Sequence, residues 1–206
     1  MDSLLKKPPG GAGSAAVASE VVDGRRKRSE DSRARIVAAM LELVQDGEMA
    51  PGAEQVAAHA GVGLRTVFRH FNDMDSLYRE MSAAIEAEIM EVAAKPLKGE
   101  TWREKLSDMI ARRAGAFEKM APYQRAAVVH RHRSPYLEDG HERFNATCRA
   151  YLMAILPKDV AARPTMLESL DLMLSFETWS RLRREQNLTA RRARAVVEDI
   201  VEKLLA

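Results

Sequence analysis

The 206 residues include 32 basic and 30 acidic side chains, a net charge of only +2. That balance excludes a polyelectrolyte binding nucleic acid by bulk charge, and the length suits one compact chain of two parts. Cys148 is the one cysteine, so no internal disulfide can form and a reducing, cytoplasmic setting is expected.

Residues 1–24 hold Lys6, Lys7 and an alanine-rich piece, but Pro8-Pro9-Gly10-Gly11 interrupts any signal-sequence core. The segment reads as a disordered leader. Arg25, Arg26, Lys27 and Arg28 follow it. From Arg25 to Arg35 six basic residues stand against two acidic ones. Such a run suits a flexible arm along phosphates or in a minor groove, and equally a solvated charged surface. Ile36, Val37, Met40, Leu41, Leu43 and Val44 then recur at helical spacing, and Gly47 ends that helix.

Gln55 to Leu77 is the most informative stretch. Val56 and Ala57 give a short helix a small apolar face, and Ala60 suits a close helix crossing. Gly61 falls at the helix end, where left-handed backbone is usual. Val62 plugs the turn, and a second helix is expected from about Leu64 to Phe71. Val67 and Phe71 share its inner face with Phe68 beside them. Leu64, Arg65, Thr66, Arg69 and His70 are left to point outward, with no acidic residue among them. This is the layout of a helix-turn-helix, whose second helix fits the major groove of double-stranded DNA. Asn72-Asp73-Met74-Asp75 then starts a long amphipathic helix through Leu77, Tyr78, Met81, Ile85, Ile89 and Val92, closed by Pro96.

Over about Ser29 to Met81 the chain resembles the TetR/AcrR family of transcriptional regulators. The residues that carry the likeness are Ala60-Gly61-Val62, Thr66-Val67-Phe68, His70-Phe71 and Asp75-Ser76-Leu77. The resemblance implies an all-α protein. Residues 25–72 would form a three-helix DNA-binding domain with the helix-turn-helix. Residues 73–206 would form a helical ligand-binding and dimerisation domain, connected through the helix of 73–94. It implies DNA contacts at Gly63, Leu64, Arg65, Thr66, Phe68, Arg69 and His70, with Arg25, Arg26, Lys27 and Arg28 as the arm. The sequence departs from the family at four places. Gly63 lacks the usual capping hydroxyl, and Phe68 lacks the tyrosine hydroxyl that reaches a phosphate, so it reads as packing. Met74 replaces a usual lysine, and Ala50-Pro51-Gly52 replaces a threonine-rich helix start.

In the second half, Thr101-Trp102-Arg103-Glu104 is a capping box that starts a helix at Trp102, expected to reach about Met120. Pro122 is expected to open a short helix, and Pro135 another that Pro157 closes. Pro164 opens a long helix through Leu182, and Thr189 caps the last one, with Val196, Val197, Ile200, Val201 and Leu204 on its apolar face. By resemblance, that last stripe pairs with a second subunit, although packing within its own subunit explains it too. A small-molecule effector would sit among the middle helices. Met109, Phe117, Met120, Phe144, Tyr151, Met173, Phe176, Glu177 and Trp179 are candidates for that pocket, and most also suit an ordinary helical core.

Three other classes stand beside this reading. An enzyme has no phosphate-binding glycine loop, nucleophile elbow or paired-carboxylate motif to support it. His130, His132, His141 and Cys148 could suggest a metal site, but their spacing is poor and no cofactor is expected. A helical protein-interaction module without specific DNA binding fits the losses at Phe68 and Met74. The expectation is a homodimeric, ligand-responsive regulator, a repressor on a palindromic operator, with no membrane partner.

Overall fold

Helical periodicity along the chain produces ten helices among the described residues of the computed structural model. The model describes the backbone of residues 12–131 and 134–206, and the side chains of 26–128, 134 and 136–206. They are α1 (Ala12–Gln45), α2 (Ala53–Ala60), α3 (Leu64–His70), α4 (Met74–Ala93), α5 (Trp102–Arg131), α6 (Pro135–Ile155), α7 (Lys158–Ala161), α8 (Pro164–Met173), α9 (Phe176–Ser180) and α10 (Ala190–Leu204). A π-helical turn, Arg181–Glu185, continues α9. Among the described residues there is no strand, and no helix is long and apolar enough to cross a membrane.

The caps read from the sequence set the helix starts. The Asp73 carboxylate accepts the Ser76 N–H at 2.7 Å, and that bond holds its carboxyl below the usual range. Glu104 accepts the N–H groups of Thr101 (2.9 Å) and Glu100 (2.8 Å), while the Thr101 hydroxyl accepts the Glu104 N–H at 3.3 Å. Both helix boxes satisfy amides that would otherwise lack partners. Thr189 caps α10, accepting the Arg192 N–H at 3.3 Å.

Two hydrophobic clusters result, and three helices cross both. Ile36, Met40, Val44, Val56, Val67 and Phe71 pack with Leu77, Tyr78 and Met81 of α4, Ala126 of α5 and Leu137 of α6. The other cluster takes Ile85 and Ile89 from the same α4, Leu106 to Met120 from α5, and Phe144 and Leu152 from α6. Leu170, Trp179 and Val197 close it from α8, α9 and α10. Helices α2 and α3 are short, eight and seven residues, and the underside of the first three helices is completed by later parts of the chain.

Four expectations change. Residues 12–24, read as a disordered leader, are the beginning of α1; alanines at 12, 15, 16 and 18 favour helix. Arg26, Lys27 and Arg28 therefore project from a helix rather than a flexible arm, and Arg26 pairs with Glu30 one turn on at 3.0 Å. Pro122 does not open a helix but lies inside α5. It can give no hydrogen bond to the carbonyl four residues back, yet burial of Met120 and Ala126 on either side holds the helix together. The long helix expected after Pro164 breaks at Ser175, whose hydroxyl accepts the Thr178 N–H at 3.2 Å and starts α9. On α10 the stripe divides. Ala193, Val197 and Val201 are buried in their own subunit, and Val196, Ile200 and Leu204 are half-buried.

Gly61 (φ +63°) and Gly99 (φ +112°) both require the left-handed region, but for different surroundings. A Cβ on Gly61 would meet nothing within 4 Å, whereas one on Gly99 would lie 2.4 Å from Glu104 Cβ. Gly61→Ala should cost about 1–2 kcal/mol, the backbone term alone. Gly99→Ala should cost more, because the clash also displaces the capping carboxylate. Urea unfolding midpoints of the two variants check the order, and equal losses would refute it.

Candidate nucleic-acid interface and ligand cavity

The turn between α2 and α3 closes with backbone bonds alone. The Val62 N–H donates to the Ala57 carbonyl at 3.0 Å and the Gly61 N–H to that of Ala58 at 3.2 Å. This is a Schellman ending, and it directs the chain sharply into the next helix. Gly63 then begins α3 without any side-chain cap, as its lost hydroxyl implied.

Within α3, Val67 (1% exposed) and Phe71 at its end (2%) face inward. Residues four apart share a ridge. Arg65 and Arg69 form the outward ridge, and both are exposed. Among the described residues neither has a carboxylate within ion-pair distance, so both guanidiniums are available. Leu64 and Phe68 form the flanking ridge, 38% and 48% exposed. Phe68 is therefore not packing, as its lost hydroxyl had suggested. It stands one turn beyond Leu64, beside the outward ridge of Arg65 and Arg69. Thr66 and His70 make the other flank and are half-buried. Lys27 and Arg28 are exposed on α1, and the Arg25 side chain lies outside the described residues.

Arg33 is the residue that sequence reasoning missed. In the sequence it stands only as one member of the basic run. Its Nη1 donates to the last carbonyl of α3, that of His70, at 2.7 Å. Its Nε donates to Glu80 on α4 at 2.9 Å, Nη2 pairs with the same carboxylate, and the guanidinium lies 4.4 Å from the centre of the Phe71 ring. One side chain thus fastens α1, the end of α3 and α4. His59 and Glu42, 2.7 Å apart, fasten α2 to α1 in the same way.

His70 departs from the outward role expected of it. Burial, then the positive charges of Arg69 and Arg33, push its pKa below the ordinary 6.5. The ring is neutral near physiological pH and is no phosphate-binding cation. The folded state thus binds this proton less readily than the unfolded chain. Stability from His70 is present above about pH 6.5 and is lost as pH falls below it. His70→Gln should therefore reduce the drop in Tm between about pH 7 and pH 5.5. An unchanged drop in a thermal melt would remove His70 from that account.

Two cavities meet in the second half. One of about 90 Å³ lies between α4, α5 and α6, with Met109, Phe117, Phe144 and Tyr151 in its wall. Another of about 340 Å³ lies towards α8 and α9, with Phe117, Phe144, Phe176 and Glu177 in its wall. Six of the nine pocket candidates are brought together this way. Met120, Met173 and Trp179 are not. Met120 lines a separate crevice of about 50 Å³ beside Glu86 and His141. Met173 and Trp179 face one of about 10 Å³ beside Val197. Trp179 is structural, donating to Glu118 at 2.8 Å, a carboxylate that Arg183 also holds. Sequence reasoning missed Arg112, Arg113 and Cys148 in the first cavity, since arginines within an amphipathic helix ordinarily face water.

Cys148 is held away from thiolate chemistry, because burial pushes its pKa up. Among the described residues no group of three metal-ligating side chains comes together. His130 and His132 lie outside the residues whose side chains are described.

No protein-family model matches the sequence, and no curated protein matches it. Solved structures do share the fold. A transcriptional regulator from Rhodococcus sp. Rha1 superposes with a TM-score of 0.67 at 17% identity, over 84% of this chain and 95% of its own. A protein from Rhodococcus sp. assigned to the TetR family gives 0.64 at 15% identity, over 86% and 100%. One from Pseudomonas aeruginosa PAO1 assigned as a transcriptional regulator gives 0.63 at 18% identity, over 84% and 89%. The chain has the all-helical fold of these regulators, with a helix-turn-helix at its N-terminal end.

Proposed function

We propose that this protein is a sequence-specific DNA-binding transcriptional regulator, a homodimeric repressor that releases a palindromic operator when a small molecule binds. The observation that carries the reading is α3 itself. Its outward ridge presents Arg65 and Arg69 without acidic partners among the described residues, on a helix fastened at its far end by Arg33. Arginine can donate two bonds to guanine in the major groove. Arg65 and Thr66 are assigned to bases, Arg69 to a phosphate or base, and Lys27 and Arg28 to the backbone alongside. Leu64 and Phe68 suit thymine methyl groups, a contact that requires no hydroxyl.

The dimer is assigned to α8 and α10, where Leu172 is 65% exposed and half of the α10 stripe is incompletely covered. Two-fold symmetry would set the recognition helices one DNA turn apart, about 34 Å. A ligand in the 73–206 part would favour a different spacing and so weaken binding. α4 is the natural carrier, since Met81 lies under the first three helices while Ile89 lines the smaller cavity.

The exposed Leu64–Phe68 ridge also favours a second reading, a protein-interaction surface built on the same helices. Selection of genomic fragments by the purified protein, near physiological salt, separates the two. An enriched palindrome supports the regulator. Binding that fades smoothly with salt and has no sequence preference supports the interaction surface. Arg65→Ala should cost about 1–3 kcal/mol on the selected site and relax preference at one base pair. Equal losses on specific and random DNA, in titrations by fluorescence anisotropy, would sink that assignment.

A further inference from the structure

Arg113 enters the middle of the second half from α5. Its Nη1 donates to the Leu174 carbonyl at 3.0 Å and its Nη2 to the Cys148 carbonyl. Those are neutral partners. Among the described residues no carboxylate lies within ion-pair distance of Arg113. Asp171 is in its neighbourhood, but that carboxylate is bound by Arg149 at 2.9 Å, which holds Glu168 as well. Burial disfavours the charge on Arg113, yet a guanidinium does not lose its proton in a protein. Arg113 is half-buried, and a charge partly withdrawn from water is ordinarily met by a counter-charge. This one has instead a position in the wall of both cavities, between Phe117 and Phe144.

The two sides of that wall differ. The larger cavity is lined by Glu168, Asp171 and Glu177, which repel an anion. The smaller has no acidic residue in its lining; Ile89, Met90, Leu97, Met109 and Ala116 make it apolar, and Arg112 beside it is occupied by Asp108 at 2.7 Å. We infer that the smaller cavity takes a small amphipathic carboxylic acid, with its carboxylate on Arg113 and its hydrocarbon part against Ile89, Met109 and Phe144. The inference deepens the proposed function by naming the chemical class of the effector, and it rests on that reading for its regulatory meaning. The acid supplies the missing counter-charge and presses on α4 at Ile89, eight residues beyond Met81.

The test uses the full chain without DNA, so that its failure is separable from failure to find an operator. Hexanoate and phenylacetate, and the primary amide of each, are titrated at constant ionic strength and followed by thermal melting and calorimetry. At about 100 times Kd the better acid should raise Tm by roughly 5–10 °C, while its amide does not. Arg113→Gln should weaken that acid about 10–100-fold, as loss of a charge-assisted contact requires. Ala116→Leu, which narrows the apolar side and leaves Arg113 in place, should weaken it too. Neither acid binding the wild-type protein, or amides binding as well as acids, overturns the inference whatever the variants do. A folded Arg113→Gln protein that binds the acid as the wild type does also overturns it. Arg113-dependent binding of an acid in a protein that selects no DNA would support the site and remove only its regulatory role.

Discussion

Helix α3 has seven residues, too few to persist in water by its own hydrogen bonds. Everything proposed for DNA recognition depends on what holds it. Val67 and Phe71 anchor one face in the hydrophobic cluster, and the Schellman turn at Gly61 fixes the direction of entry. Arg33 then takes the carbonyl at the far end and ties it to Glu80 of α4. A surface ion pair alone contributes little. Here the same guanidinium also satisfies a helix-end carbonyl and stacks on Phe71, so its geometric role exceeds its electrostatic one.

The second half is organised around the opposite situation. Glu118, Arg183 and Trp179 form a satisfied polar network, as do Arg149, Glu168 and Asp171. These give the helices a fixed mutual register. Arg113 is an arginine between packed helices whose partners are only carbonyls. The contrast is informative because both kinds of arginine arise from the same amphipathic pattern, and only the third dimension separates them.

Local signals were legible in the sequence wherever they acted locally. Asp73, Thr101 and Thr189 start the helices they were expected to start, and Pro135 opens α6, because a cap depends on three or four neighbouring residues. The inner and outer faces of α3 followed from spacing. Phe68 did not, since a phenylalanine beside an apolar face says nothing about which ridge lies uncovered. Pro122 misled because its local cost was overridden by burial of α5 on both sides, a tertiary effect that propensity does not contain. The break at Ser175 was hidden by a continuous apolar pattern; a serine hydroxyl and the Thr178 side chain, which donates to the Leu172 carbonyl at 2.6 Å, turn the chain there. Arg33 and Arg113 were hidden for a shared reason. Their partners lie 35 to 61 residues away along the chain.

The sharing of α4, α5 and α6 between two clusters also limits how the molecule can be cut. A fragment ending at residue 72 would keep the recognition helix but lose Leu77, Tyr78 and Met81, each no more than 1% exposed in the whole chain. It would also lose Ala126 and Leu137, leaving an apolar underside open to water. The helix-turn-helix head is therefore not a portable unit. A chimera that borrows it must carry the first half of α4 and the corner where α5 meets α6, or rebuild that floor with residues of its own.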